Sequence, residues 1–146
     1  MPSIALLLLT LVLGAGQSAT SPAGPMRARL SPLPTDLAMQ ETIAGLGTAT
    51  ATLAGTTLTI EGTYQGLKLP ATVVRVFDSA RPGLRGPLVG EFASGGGTRG
   101  TFKGTVTLSR DQAAAYAKGL LYVQLHSERA PDGNLWGWLM AAKGRR

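Results

Sequence analysis

The chain holds one histidine, His126, and no cysteine among its 146 residues. A transition-metal site needs several converging nitrogen, sulfur or carboxylate donors. One imidazole supplies too few, so no metal and no cofactor is expected, and chemistry that needs a redox metal goes with them. Disulfides and thiolate-bound zinc are excluded by composition. Acyl transfer has no nucleophile elbow to start from, and the carboxylates show no paired context. No residue is therefore assigned a catalytic role, and the chain reads as a non-enzyme. What remains is a set of side chains suited to binding. His126 shares a strand face with Tyr122 and Gln124 by period-two alternation. Trp136 and Trp138 share a face, with Leu135, Gly137 and Leu139 on the other. Paired indoles offer a platform for a sugar or an apolar partner. Arg75 and Phe77 also share a face, and they join the patch if their strand adjoins. The plainer alternatives are a strand-end histidine satisfied by backbone, and indoles that cover the sheet or pack under a loop. Residues 95–100 fit G-x-G-x-x-G, but a strand follows them, so they read as a hairpin turn and not a dinucleotide site.

These side chains need strands to hold them. Residues 26–30 alternate and form a candidate first strand, followed by a Pro-rich loop at 31–36. Residues 48–53 and 57–64 alternate threonine with apolar residues across a turn at Ala54-Gly55, the pattern of a hairpin. Their polar faces imply antiparallel sheets solvated on one side. Residues 72–77 are a β-branched run, 88–92 a short strand, and 79–87 between them a loop with Pro82, Gly83, Gly86 and Pro87. Phe102, Val106 and Leu108 line one face of a further strand. Residues 120–126 and 134–140 are the last strands, around a turn at Pro131-Asp132-Gly133. One helix is expected near 109–118. Ser109 caps it, Gln112 closes a capping box, and Asp111 and Lys118 suit the two ends of its dipole. Gly119 suits the position just past the helix. Many short strands with one small helix mark an all-β antiparallel sandwich or barrel.

The first 25 residues carry no charged side chain. An apolar run at 4–13 precedes Gly14-Ala15-Gly16 and further small residues, the order of a signal-peptide core and cleavage zone. A bilayer span needs about 20 apolar residues, so this run is too short to cross. The expected organisation is a signal peptide at 1–19, a linker at 20–25, a β domain at 26–142 and a basic tail at 143–146. The expected location is secreted or periplasmic, in the cell envelope, with no integral membrane segment in the mature chain. The net charge of +6 is spread from Arg27 to Arg146, and aromatics are sparse. Nucleic acid is therefore not expected; the expected partner is a protein or an anionic envelope polymer.

From Gly100 onward the residues carry a resemblance. Gly100-Thr101-Phe102-Lys103-Gly104, Leu108 and Gln112 lead to Gly119-Leu120-Leu121-Tyr122-Val123-Gln124-Leu125-His126-Ser127. They close on Ala130-Pro131-Asp132-Gly133-Asn134-Leu135-Trp136-Gly137-Trp138-Leu139. In this pattern the chain resembles the CHRD domain, named from chordin and found also in bacterial exported proteins, with the likeness reaching back to Met26. The resemblance implies an immunoglobulin-like or superoxide-dismutase-like β-barrel and no established activity. Family members usually hold a His-x-His-Gly-Pro-Ala segment in mid-domain, where this chain has Arg75-Val76-Phe77-Asp78-Ser79-Ala80. The family's closing Glu and Arg correspond to Asn134 and Trp136. Two such histidines would lie about 7 Å apart on one strand face and suit copper or zinc. A permanently protonated guanidinium and a phenyl ring do not. The candidate patch is thus Arg75, Phe77, His126, Asn134, Trp136 and Trp138. The first reading is a non-catalytic binding or scaffold module. A degenerate superoxide-dismutase-like metal-binding protein is the alternative, and a carbohydrate-binding module on the two indoles is the third.

Overall fold

The computed structural model describes residues 24–34 and 36–141. The expected signal peptide, most of the linker and the basic tail lie outside the described residues. The chain runs β1 (Met26–Pro32), β2 (Leu46–Ala54), β3 (Thr57–Gln65), β4 (Ala71–Asp78), β5 (Leu88–Ala93) and β6 (Gly100–Thr107). Then come α1 (Arg110–Ala117), β7 (Leu121–Ser127), β8 (Ala130–Trp138) and β9 (Met140–Ala141). The strands pair antiparallel in the order β5-β4-β7-β8-β1-β2-β3-β6, with β9 on β1. The fold is all-β with one short helix, as the alternation implies.

Strand β1 joins two halves. Its residues 26–30 pair with β2, and Ser31 and Pro32 pair with β8. The outermost strands, β5 and β6, meet through side chains. The Phe92 ring occupies the space a Cβ on Gly104 would need, and Val106 approaches Gly90 in the same way. That contact brings the sheet round into a nearly closed barrel. Inward positions fill it: Leu30, Leu58, Ile60, Val74, Val76, Val123, Leu125, Leu135 and Leu139 are all fully buried. Each such side chain contributes about 1.5–3 kcal/mol on burial.

Helix α1 has the expected start. Gln112 N–H donates to Ser109 Oγ at 3.2 Å, and Ser109 N–H donates to Gln112 Oε1 at 2.8 Å. Lys118 is its C-cap, followed by Gly119 at φ 74°. Its buried Tyr116 donates to Ala51 O at 3.2 Å, anchoring the helix on the barrel.

The β7–β8 turn is not at Pro131-Asp132-Gly133. The chain reverses at 128–129, where Arg129 takes φ 56°, and Ser127 pairs with Ala130. A two-residue hairpin loop needs a left-handed residue, and Arg129 supplies it without a glycine. Pro131 is tolerated at the second position of β8 because the ladder is irregular there, between Leu125 and Ser127.

Candidate functional site

Strand β7 lies between β4 and β8, and the register is decisive. Arg75 pairs with Gln124, which pairs with Trp136; Phe77 pairs with Tyr122, which pairs with Trp138. The alternate residues Val74, Val76, Val123, Leu125 and Leu135 belong to the core. Both rows therefore stand on the outer face of the sheet. The separate sequence pairs, Arg75 with Phe77 and Trp136 with Trp138, come together on one surface.

That surface is roofed. Every residue of β7 is buried, on both faces. The cover is segment 79–87, which folds back over the rows. Gly86 N–H donates to Tyr122 Oη at 3.2 Å, and Trp138 Nε1–H donates to Ser79 Oγ at 3.0 Å. Arg85 places its guanidinium 5.6 Å from the centre of the Trp136 ring. Beneath this strap, Phe77 stacks on Tyr122 at 5.0 Å, and Tyr122 meets Trp138 at 4.7 Å. The two indoles lie 4.9 Å apart but inclined by 68°, so they do not form one flat platform. The arrangement is a second apolar core, with partly buried Trp136 and Trp138 at its rim.

The charges sit at that rim. Arg75 Nε is 2.8 Å from Glu91 Oε2, with the two side chains 37% and 50% exposed. Such a pair contributes at most about 1 kcal/mol. Arg85 is exposed, and its Nη1–H donates to Asp132 O at 3.3 Å.

His126 lies inside, buried beside Gln124. The Gln124 amide nitrogen donates to Asp132 O at 2.7 Å and sits 3.0 Å from His126 Nε2. The carbonyl at Asp132 requires the nitrogen end of the amide there. His126 Nε2 must then accept, and it is the unprotonated nitrogen of a neutral ring. Burial first, then the nearby Arg75 and Arg85 charges, hold its pKa below the ordinary 6.5; hydrogen bonding with the Pro131 and Ala130 backbone opposes this. The imidazole lone pair is thus occupied within the fold. Gln124 Oε1 is buried and has no hydrogen-bond partner among the described residues.

Asn134 does not join the rows. Its Nδ2–H donates to Ser127 Oγ at 2.8 Å, and its Oδ1 accepts from Ala44 N–H at 3.2 Å. Its backbone carbonyl accepts from Leu33 N–H at 3.1 Å. It clamps the β1–β2 connection to the β7–β8 end of the barrel. Just before it, Gly133 takes φ 104°, and any Cβ there would strike the Gln124 side chain.

Reading the sequence missed Arg85 and Ser79, because a loop has no periodicity from which its resting place follows. Tyr122 and Gln124 carried a signal, their shared face with His126, but nothing local marks them as the middle of a row.

The family model for the CHRD domain matches residues 26–139, from the first residue of β1 to just past β8. The chain belongs to the CHRD-domain family. No curated protein and no solved structure was found to match it. In this CHRD domain the matched span covers every strand of the barrel except β9. Among the described residues, no group of three or more His, Cys, Asp or Glu is placed to hold a metal ion. Among them, too, no helix is long and apolar enough to cross a membrane.

Proposed function

We propose that this CHRD domain is an exported, non-catalytic binding or scaffold module that works in the cell envelope or outside the cell. Its contact corner is formed by Arg75, Arg85 and the partly exposed Trp136. The observation that carries this reading is the Arg85 guanidinium held 5.6 Å from the centre of the Trp136 ring, on a face otherwise sealed by segment 79–87, with Arg75 in the same row two strands away. An arginine held over an aromatic ring keeps its planar donor fork in place, so less is lost when it pairs with an acid. The matching partner carries an anionic group beside an apolar one, as a protein surface or an envelope polymer does. The occupied lone pair of His126 supports the non-catalytic reading. The apolar start of the chain supports export.

Two measurements test this. The full chain expressed in a bacterium with its own N-terminus is processed after Ser18 or Ala19 and leaves the cytoplasm; an uncleaved cytoplasmic product overturns export. Retention of the processed chain on isolated envelope fractions weakens about five-fold or more on Arg85→Ala, about 1 kcal/mol, on the scale of a cation–π contact. Unchanged retention removes the corner from the proposal.

A further inference from the structure

Among the described residues, no strap covers the outer face of β1, β2, β3 and β6. Its outward residues line up across the strands in rows. One row is Arg29, Thr48, Thr63, Thr101; the next is Arg27, Thr50, Glu61, Lys103. Between the rows the inward-pointing residues are Ala28, Ala49, Gly62 and Phe102. Rows of this kind stand about 7 Å apart, and strands about 4.8 Å apart. The trough between them therefore crosses four strands over about 14 Å.

The surface dips where Thr48, Thr50 and Thr63 stand between the longer Arg27 and Arg29 on one side and Glu61 and Lys103 on the other. One hollow of about 560 Å³ lies over Arg27, Arg29, Thr48 and Thr50. Another of about 410 Å³ runs from Thr48 and Thr50 to Thr101 and Lys103, so the two share a boundary. Volumes in the range of about 300–1,000 Å³ suit ligand sites. Open at the surface and continuous across strands, this trough fits an extended chain better than an enclosed small molecule.

Its chemistry selects the chain. Threonine presents a hydroxyl that both donates and accepts, beside a methyl, which complements a sugar ring edge and face. The ends carry Arg27, Arg29 and Lys103, and the one acid in the two rows, Glu61, stands between Thr50 and Lys103. Glu61 is 3.9 Å from Lys103 with both side chains largely exposed, so it does not hold that lysine. The rings nearest the trough, Tyr64 and Phe102, are buried in the core. Nucleobases need exposed rings to stack on, and this face offers none among the described residues.

We infer that this threonine trough binds an acidic polysaccharide, with its carboxylate or sulfate groups on Arg27, Arg29 and Lys103 and its hydroxyls on Thr48, Thr50 and Thr63. The inference rests on the reading of the domain as an exported binding module, but it uses a different face from the Arg75–Arg85 corner.

The test is affinity electrophoresis of the processed chain through gels containing polygalacturonate, neutral dextran or single-stranded oligothymidine. Polygalacturonate retards the chain; dextran does not; oligothymidine does so at least several-fold more weakly. Arg27→Glu with Arg29→Glu weakens polygalacturonate binding ten-fold or more. Thr50→Tyr fills the hollow without changing charge and weakens it about five-fold, the size expected when a well-fitted contact is blocked. Arg110→Glu with Lys118→Glu makes the same charge change on α1 and leaves binding within two-fold. Circular dichroism checks that each variant is folded. No retardation by polygalacturonate overturns the inference. So does equal retardation by oligothymidine with no effect of Thr50→Tyr, which marks plain charge attraction. Loss on Arg85→Ala but not on the Arg27 and Arg29 pair also overturns it, and leaves the proposed function standing.

Discussion

The outer faces of the two halves of this barrel start from the same alternation and end in opposite conditions. On β2, β3 and β6 the outward residues include Thr48, Thr52, Thr63 and Thr105, and they meet solvent. On β4, β7 and β8 they include Phe77, Tyr122, Trp136 and Trp138, and segment 79–87 lies over them. Short polar residues need no cover. Aromatic residues bury about 150–250 Å² each, at about 25 cal/mol per Å², enough to hold a loop that would otherwise stay in water. The roof has a cost of its own, since the amides beneath it lose water. Gln124 Oε1 is left without a partner, and His126 is kept neutral. One face is thus a surface, and the other a second core with a charged rim.

This contrast can be broken most strongly at Tyr122. Its ring touches Phe77, Trp136 and Trp138, and its hydroxyl receives Gly86 N–H. Tyr122→Ala is expected to cost about 3–5 kcal/mol in chemical denaturation, as for other buried aromatic truncations. A cost under about 1 kcal/mol would show that the strap covers nothing of consequence.

Asn134→Ala tests the clamp at the end of the same half. It strips partners from Ser127 Oγ and Ala44 N–H. Leaving buried groups unpaired costs about 1–3 kcal/mol each. Thermal denaturation reads the loss, and a neutral result refutes the clamp.

The pH dependence is subtler and belongs to the roofed face alone. The folded chain holds His126 below its ordinary value of 6.5. Between the folded value and 6.5 the unfolded chain binds more protons. The stabilisation is therefore complete above about 6.5, declines as pH falls through that window, and levels off below the folded value. Denaturation midpoints from about pH 8 down to about pH 5 show this decline in the native chain and a smaller one in His126→Gln. Equal declines in both chains would discard it.

At the small end lies the threonine face. Thr105→Ala removes an exposed side chain, and the expected change is within about 0.5 kcal/mol. A loss as large as that of Asn134→Ala would erase the distinction between the faces.

Much of this was legible in advance. The β2–β3 hairpin follows from threonine alternating with apolar residues, and it forms with Leu53 opposite Leu58, though its turn is Gly55-Thr56, one residue later than the expected Ala54-Gly55. The helix follows from Ser109 and Gln112. The shared faces of Arg75 with Phe77 and of Trp136 with Trp138 follow from period two. The β7–β8 turn did not follow, because a left-handed Arg129 leaves no mark in composition while Pro131-Asp132-Gly133 looks like a turn anywhere.

Amino-acid order settled which side chains share a face, where the helix begins, and that one histidine and no thiols are present. These depend on neighbours two to four residues apart. It did not settle that β4, β7 and β8 lie side by side, that Arg75 lines up with Trp136, or that Asn134 leaves their row. Nor did it show that segment 79–87 returns to roof that row. Strand neighbours and register are chosen among many long-range pairings by which one buries the most apolar surface, and only the assembled barrel makes that comparison.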